Sequence, residues 1–471
     1  MSPFLYRLMT VAAVLFLCTC SLAPDYQTPE MPQPASYKEA GDWVEVQPDD
    51  TIEDDAWWKV FGDAQLNAME DRVTAANQNL KAAIAQYDQA RALANQARAS
   101  YFPSITANAG ASRQQTSRTV ANVSGASLYN DFTMGADLSY EIDLWGRVRN
   151  TVAANEAQAA ASAADLAGVA LALHAELASD YFTLRGDDAI VSLLDTTVKD
   201  DQRTLDLTRQ RYKGGIAPEA DVDQAETQLE NAKTQATDMR LQRAQMEHAI
   251  AILMGEAPAN YNLAEAPLAA KLPRIAAGLP SVLLQRRPDI SAAERRVVAA
   301  NAEIGVARAA WFPTFNLTAM LGVESAGAQR WFSAPSEFWS LGPSAAMPLF
   351  EGGLISALND QARAAYEQSA AAYRQTVLDA YGEVEDNLVA LHRLEEEMKT
   401  QKAAEASAGR ALAQANDLYK AGATTFLDVA IAQNNALQAQ QGTITVTIRR
   451  LTASVQLVKA LGGGWQGLSV P

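Results

Sequence analysis

From residue 132 to residue 144, apolar and polar side chains alternate without a slip. Phe132, Met134, Ala136, Leu138, Tyr140, Ile142 and Leu144 fall on one side, Thr133, Gly135, Asp137, Ser139, Glu141 and Asp143 on the other. A period of two over this length predicts a β-strand with one oily and one wet face. Residues 105–112 repeat it, with Ile105, Ala107, Ala109 and Ala111 against Thr106, Asn108, Gly110 and Ser112. Phe315, Leu317, Ala319, Leu321 and Val323 alternate in the same way with Asn316, Thr318, Met320, Gly322 and Glu324. A fourth segment sets Trp339, Leu341, Ala345, Met347 and Leu349 on one face, where Pro343 and Pro348 weaken the strand pattern.

Around each strand pair the period changes. Residues 63–100 and 281–310, rich in Ala, Gln, Arg, Glu and Leu, predict helices. Each ends at a Phe-Pro pair, because proline disfavours the helical conformation of the residue before it. After each strand pair come proline-free helical patterns over residues 147–212 and 353–419. At 1.5 Å per residue each would reach roughly 100 Å. A turn at Gly214-Gly215 or Gly422 then sends the chain back over residues 221–254 and 428–461. Each half thus predicts an antiparallel helical hairpin whose Ala-rich faces pack closely, in the manner of a coiled coil.

The two halves are copies. Ala99-Ser100-Tyr101-Phe102-Pro103 returns as Ala309-Ala310-Trp311-Phe312-Pro313, 210 residues later. Arg211-Tyr212-Lys213-Gly214-Gly215, Asp221-Val222 and Met254-Gly255 return 207 residues later, around Tyr419, Asp428 and Gly462. A nearly constant offset over four landmarks marks a tandem duplication. The repeats span residues 57–270 and 271–462, followed by a tail, 463–471.

A strand of ~9–11 residues crosses a bilayer when tilted. Four strands cannot close a barrel in lipid, where open edges leave backbone groups unpaired and about eight is the minimum. Spanning strands would therefore require two chains, giving eight, or three, giving twelve. The competing expectation is a half-buried sheet in a periplasmic structural or adaptor-like protein whose hairpins bridge membranes.

The N-terminus supports export. Arg7 precedes an apolar run from Leu8 to Leu17, the size of a secretory signal's core and too short to span a bilayer. No later window is expected to be long and apolar enough for a membrane helix. The signal covers residues 1–19, and residues 20–56, with Pro24, Pro29, Pro32 and Pro34, read as an extended tether. Leu17-Cys18-Thr19-Cys20 resembles a bacterial lipoprotein cleavage box with Cys20 as the acylated residue, Thr19 departing from the usual small residue before it.

Charge and composition exclude other classes. With 55 acidic against 38 basic residues and a net charge of −17, nucleic acid is not an expected partner. Two cysteines near the N-terminus and three scattered histidines (His174, His248, His392) give no disulfide framework and no metal spacing. No nucleophile–base pair is apparent, so no enzyme and no cofactor is expected beyond a covalent lipid on Cys20. Glu395-Glu396-Glu397 reads as a solvated helix face.

Several segments resemble hallmarks of the TolC-type outer-membrane efflux proteins, in their OprM-like (NodT-type) lipoprotein branch. They are Trp57-Trp58-Lys59-Val60-Phe61-Gly62-Asp63, Arg286-Arg287-Pro288-Asp289-Ile290, Tyr101-Phe102-Pro103, Leu144-Trp145-Gly146-Arg147 and Cys20-Ser21-Leu22-Ala23-Pro24-Asp25-Tyr26. The resemblance implies a mixed α/β membrane protein: a homotrimer sharing a twelve-stranded β-barrel in the outer membrane and a periplasmic α-helical tunnel. It implies a periplasmic adaptor and an inner-membrane pump, of the proton-driven resistance-nodulation-division type, as partners. It also implies a gate at the hairpin turns. By motif, Asp428 takes one position of an acidic ring, while Ile431 replaces the second carboxylate with an apolar constriction. Tyr419 and Asp221 match latch positions between neighbouring hairpins, and Thr424 stands where an Arg often completes the latch. Three copies of Asp428 near one axis would repel and attract cations.

Overall fold

Glycine and proline punctuate the chain in its computed structural model, which describes residues 21–31, 34–40, 56–117, 128–269, 272–273 and 286–465. The signal segment, Cys20, much of the tether, residues 281–285 and most of the tail lie outside the described residues.

The chain divides into two compact units. One comprises residues 1–30, 86–163 and 292–374, the other residues 31–85, 164–291 and 375–471. The first repeat supplies α1 (Ala64–Ala76), α2 (Gln78–Arg98), β1 (Ser104–Gln115), β2 (Leu128–Ile142), α3 (Arg147–Lys213) and α4 (Glu219–Leu253). The second supplies α5 (Pro288–Ala309), β3 (Thr314–Ser325), β4 (Glu337–Ala346), α6 (Leu354–Lys420) and α7 (Phe426–Ala460). The long helices are 67 residues in both copies and the return helices 35.

The duplication reaches individual backbone contacts. Gly146, Gly215 and Gly255 hold φ of 78°, 73° and 72°, and their counterparts 207 residues on, Gly353, Gly422 and Gly462, hold 94°, 76° and 94°. Left-handed backbone of this kind favours a residue without a Cβ. At the ends of the return helices there is also no room for one. A Cβ on Gly255 would run into the Ala76 carbonyl, and one on Gly462 into that of Arg286, itself 210 residues after Ala76.

In the first unit the four strands form one antiparallel sheet in the order β1-β2-β3-β4. The pairing of β2 with β3, Met134 opposite Val323 and Leu138 opposite Ala319, joins the two repeats. The register keeps the oily positions on one face, where Ile105, Leu321, Trp339 and Leu341 are 66–76% exposed. Pro343 is accommodated because β4 is an edge strand. The strand stops at Ala346, so Met347 and Leu349 fall beyond it, where Pro348 would withhold a ladder donor. Residues 21–30 are more than a spacer: Asn301 Nδ2 donates to the Pro24 carbonyl (2.8 Å) and Arg308 to that of Leu22 (3.1 Å).

In the second unit the helix expected over residues 63–100 is interrupted at Asn77, which adopts φ −59°, ψ 129°. Its side chain accepts from Leu80 N (2.9 Å) and donates to the Leu253 carbonyl (2.7 Å), a buried exchange that replaces helical hydrogen bonds. One window of α3 proves long and apolar enough to cross a membrane, contrary to expectation. Its alanines supply the hydropathy, and part of it is buried in the fold.

Candidate functional site

The second hairpin turn closes with Gly422 N donating to the Tyr419 carbonyl (3.0 Å) and Ala423 N to that of Leu418 (2.9 Å). Two residues later Thr425 caps α7 in a capping box, its hydroxyl accepting the backbone N–H of Asp428. The Asp428 carboxylate accepts in return from the Thr425 backbone N–H (3.4 Å), the Thr425 hydroxyl (3.1 Å) and the Thr424 hydroxyl. These hydrogen bonds, with that of Thr424 foremost, hold the fully exposed carboxyl below the usual range. Ile431, one helical turn on, is 52% exposed. Spacing of three places both side chains on neighbouring positions of one helix surface.

Tyr419 is buried, 4% exposed, at the end of α6. Its ring meets Phe426 edge-on (centroids 5.8 Å apart) and lies under the Arg211 guanidinium at 4.5 Å. Arg211 Nη1 donates to its carbonyl (2.8 Å), and its hydroxyl lies 3.4 Å from that of Thr208. Leu205, Ala225, Leu229, Val429 and Ala430 complete this core, so both hairpins of the chain converge on it. Gln228 and Asn434 join α4 to α7 through a reciprocal pair of hydrogen bonds (2.8 and 3.2 Å).

Of the expected residues, the fold brings Thr424 and Asp428 together, while no hydrogen bond joins Tyr419 to Asp221 among the described residues. Tyr419 is held by Thr208 and Arg211. Asp221 is half-buried near the start of α4, where its backbone N–H donates to the Pro218 carbonyl (3.2 Å) and its carboxylate finds no partner among the described residues. Sequence reasoning missed the Thr425 cap, although Thr-x-x-Asp before an apolar run is its signature. It missed Thr208 for want of any local signal.

The histidines divide. His392 is exposed, 3.6 Å from Glu396 on the same helix surface. His174 is packed: its ring stacks on Trp58 (4.4 Å) and its Nδ1 lies 2.6 Å from Oε2 of fully buried Glu70. Burial, with nearby Asp71 adding to it, pushes the Glu70 carboxyl up to about 9, while burial lowers His174 to about 4. The Thr74 hydroxyl donates to the Glu70 carbonyl and so accepts from His174 Nε2–H, leaving Nδ1 to accept the Glu70 proton. This neutral pair fills the core without charge. Glu395, Glu396 and Glu397 form the expected solvated face, paired with Lys399, Arg393 and Arg449.

The family model for outer membrane efflux proteins matches the chain twice, over residues 71–256 and 279–463. The toluene efflux pump outer membrane protein TtgC of Pseudomonas putida is 33% identical over 470 residues, covering 97% of this chain and 96% of that protein. The pyoverdine export outer membrane protein OpmQ of Pseudomonas aeruginosa is 32% identical, covering 98% and 97%. The crystal structure of the Campylobacter jejuni CmeC outer membrane channel superposes with a TM-score of 0.90 at 27% identity, covering 95% of this chain and 96% of that one.

Proposed function

The chain belongs to the outer membrane efflux protein family, and from that premise we propose that it works as a homotrimeric exit duct gated at its hairpin turns. It is an outer-membrane efflux component and not an enzyme. The observation that carries the duct reading is the four-stranded sheet, with its exposed oily face and, among the described residues, two unpaired outer edges on β1 and β4. In lipid those edges require partners, and three copies joined edge to edge close a barrel of twelve strands. The oily face then meets lipid and the face of Asn108, Asp137 and Thr318 lines the lumen.

The gate lies where Asp428 and Ile431 emerge from α7. Around a threefold axis, three Asp428 carboxylates form a cation-attracting ring and three Ile431 side chains an apolar constriction beside it. Thr424 and Thr425, which orient the carboxylate within each chain, take over the positioning role that an arginine latch would have. Tyr419 anchors the turn behind the ring, and Asp221, lacking a partner among the described residues, is free to bond a neighbouring hairpin.

A lipid on Cys20 would hold the start of the chain at the outer membrane. A periplasmic adaptor would dock on the hairpins and link them to a proton-driven inner-membrane pump. Relatives of nearly equal identity serve toluene efflux and pyoverdine export, so the pump rather than this duct is the expected selector of cargo.

Replacing Asp428 by Ala tests the gate. Purified channels in a planar bilayer should leak more ions, with a smaller preference for cations; unchanged conductance across several pH values would overturn the acidic ring.

A further inference from the structure

The wet face of the sheet carries an aromatic ring that its polar pattern does not call for. Phe338 of β4 lies opposite Gly322 of β3. A Cβ on Gly322 would come within 2.8 Å of the Phe338 Cζ, so the ring lies over the bare glycine. Glu324 is the next residue on this face of β3, and Tyr129 and Asp131 continue it on β2. Together with Ser336 and Glu337 they line a cavity of about 330 Å³ at the loop end of the sheet. Its border is tied down: the hydroxyls of Ser333 (2.7 Å) and Ser336 (2.8 Å) both donate to the Arg330 carbonyl.

The lining favours one sign of charge. An aromatic face presents the negative side of its quadrupole to a cation. Asp131, Glu324 and Glu337 act in the same sense, and among the described residues none of them has an ion-pair partner. Every charged residue on the wet face of the four strands (Asp131, Asp137, Glu141, Glu324) is acidic. A neutral aromatic guest would gain only apolar contact here, and an anion would be repelled. We propose that this cavity is a binding site for organic cations that carry an apolar group, with the Phe338 and Tyr129 rings holding the cation and Glu324 and Asp131 balancing its charge. That such cations meet it while leaving through the lumen rests on the duct reading; the binding does not.

The test is calorimetric titration of the full-length protein, extracted in mild detergent, with benzyltrimethylammonium, benzyl alcohol and benzoate. The cation should bind at least about ten-fold more tightly than the alcohol or the acid, and more tightly at low salt. Phe338→Leu, which keeps apolar bulk and loses the ring, should weaken the cation about five-fold and leave the alcohol unchanged. Glu324→Gln should weaken it and flatten the salt dependence. Native mass checks assembly, and Tyr129→Leu on the opposite wall replaces any variant that fails that check. Equal affinity for cation and alcohol, wild-type affinity in both variants, or no cation binding would overturn the site. Absent binding in a protein that conducts ions defeats the site alone; binding without conductance defeats the duct alone.

Discussion

At the first hairpin turn Pro218 precedes α4 and Asp221 follows three residues on; at the second, 207 residues later, Thr425 precedes α7 and Asp428 follows. Both turns close through a left-handed glycine and the same backbone hydrogen bonds, Gly215 N to the Tyr212 carbonyl in one and Gly422 N to that of Tyr419 in the other. Pro218 has no side-chain acceptor, so the first helix begins without a cap, whereas Thr425 and Asp428 satisfy each other. The tyrosines differ as much: Tyr212 is 44% exposed, its counterpart Tyr419 only 4%. Duplication preserved the backbone, and a few side chains gave the second turn both the buried anchor and the ordered carboxylate. In the proposed gate the buried anchor and the ordered carboxylate both come from the second hairpin, and the first adds only Asp221.

The largest separation between the turns should come from their tyrosines. Tyr419→Ala removes a ring packed on Phe426 and Arg211 and should cost about 3 kcal/mol. Tyr212→Ala should stay within about 0.5 kcal/mol. Hydrogen exchange at both turns reads the two together, and equal losses would erase the distinction. Caps come next: Thr425→Ala should destabilise the start of α7 by about 1 kcal/mol, while Pro218→Ala should leave the start of α4 nearly unchanged. Faster exchange in α4 than in α7 for these variants would reverse the assignment.

The smallest effect is on titration. Because the folded-state pKa of Asp428 is depressed, its contribution is fully present above the ordinary aspartate value near ~4 and is lost as pH falls through the lower folded value. Acid should therefore loosen the first turn of α7. Thr424→Val should move the Asp428 titration, followed by NMR, back toward the ordinary value; an unmoved titration would remove Thr424 from the account.

Much of this was legible in the residue pattern, because period, glycine spacing and repetition are local properties. All four strands, both 67-residue helices and the hairpin turns lie close to their expected places. The break at Asn77 was hidden because its cause, a bond to the Leu253 carbonyl, is 176 residues away. Glu70 and His174, 104 residues apart, were invisible as a pair for the same reason. Tyr212 and Tyr419 occupy matching sequence positions, and the packing of Phe426, Leu205, Thr208 and Arg211 against Tyr419 sets their difference in burial. The capping box, by contrast, was written locally as Thr425-x-x-Asp428.

Four strands per chain complete a barrel in lipid only with other copies. The most direct measurement is the native mass of the protein extracted from outer membranes in mild detergent, corrected for bound detergent. A trimer, about three times the 50.6 kDa chain, is the predicted result. A monomer recovered from the periplasmic fraction would leave the edges of β1 and β4 without partners and would contradict the shared barrel.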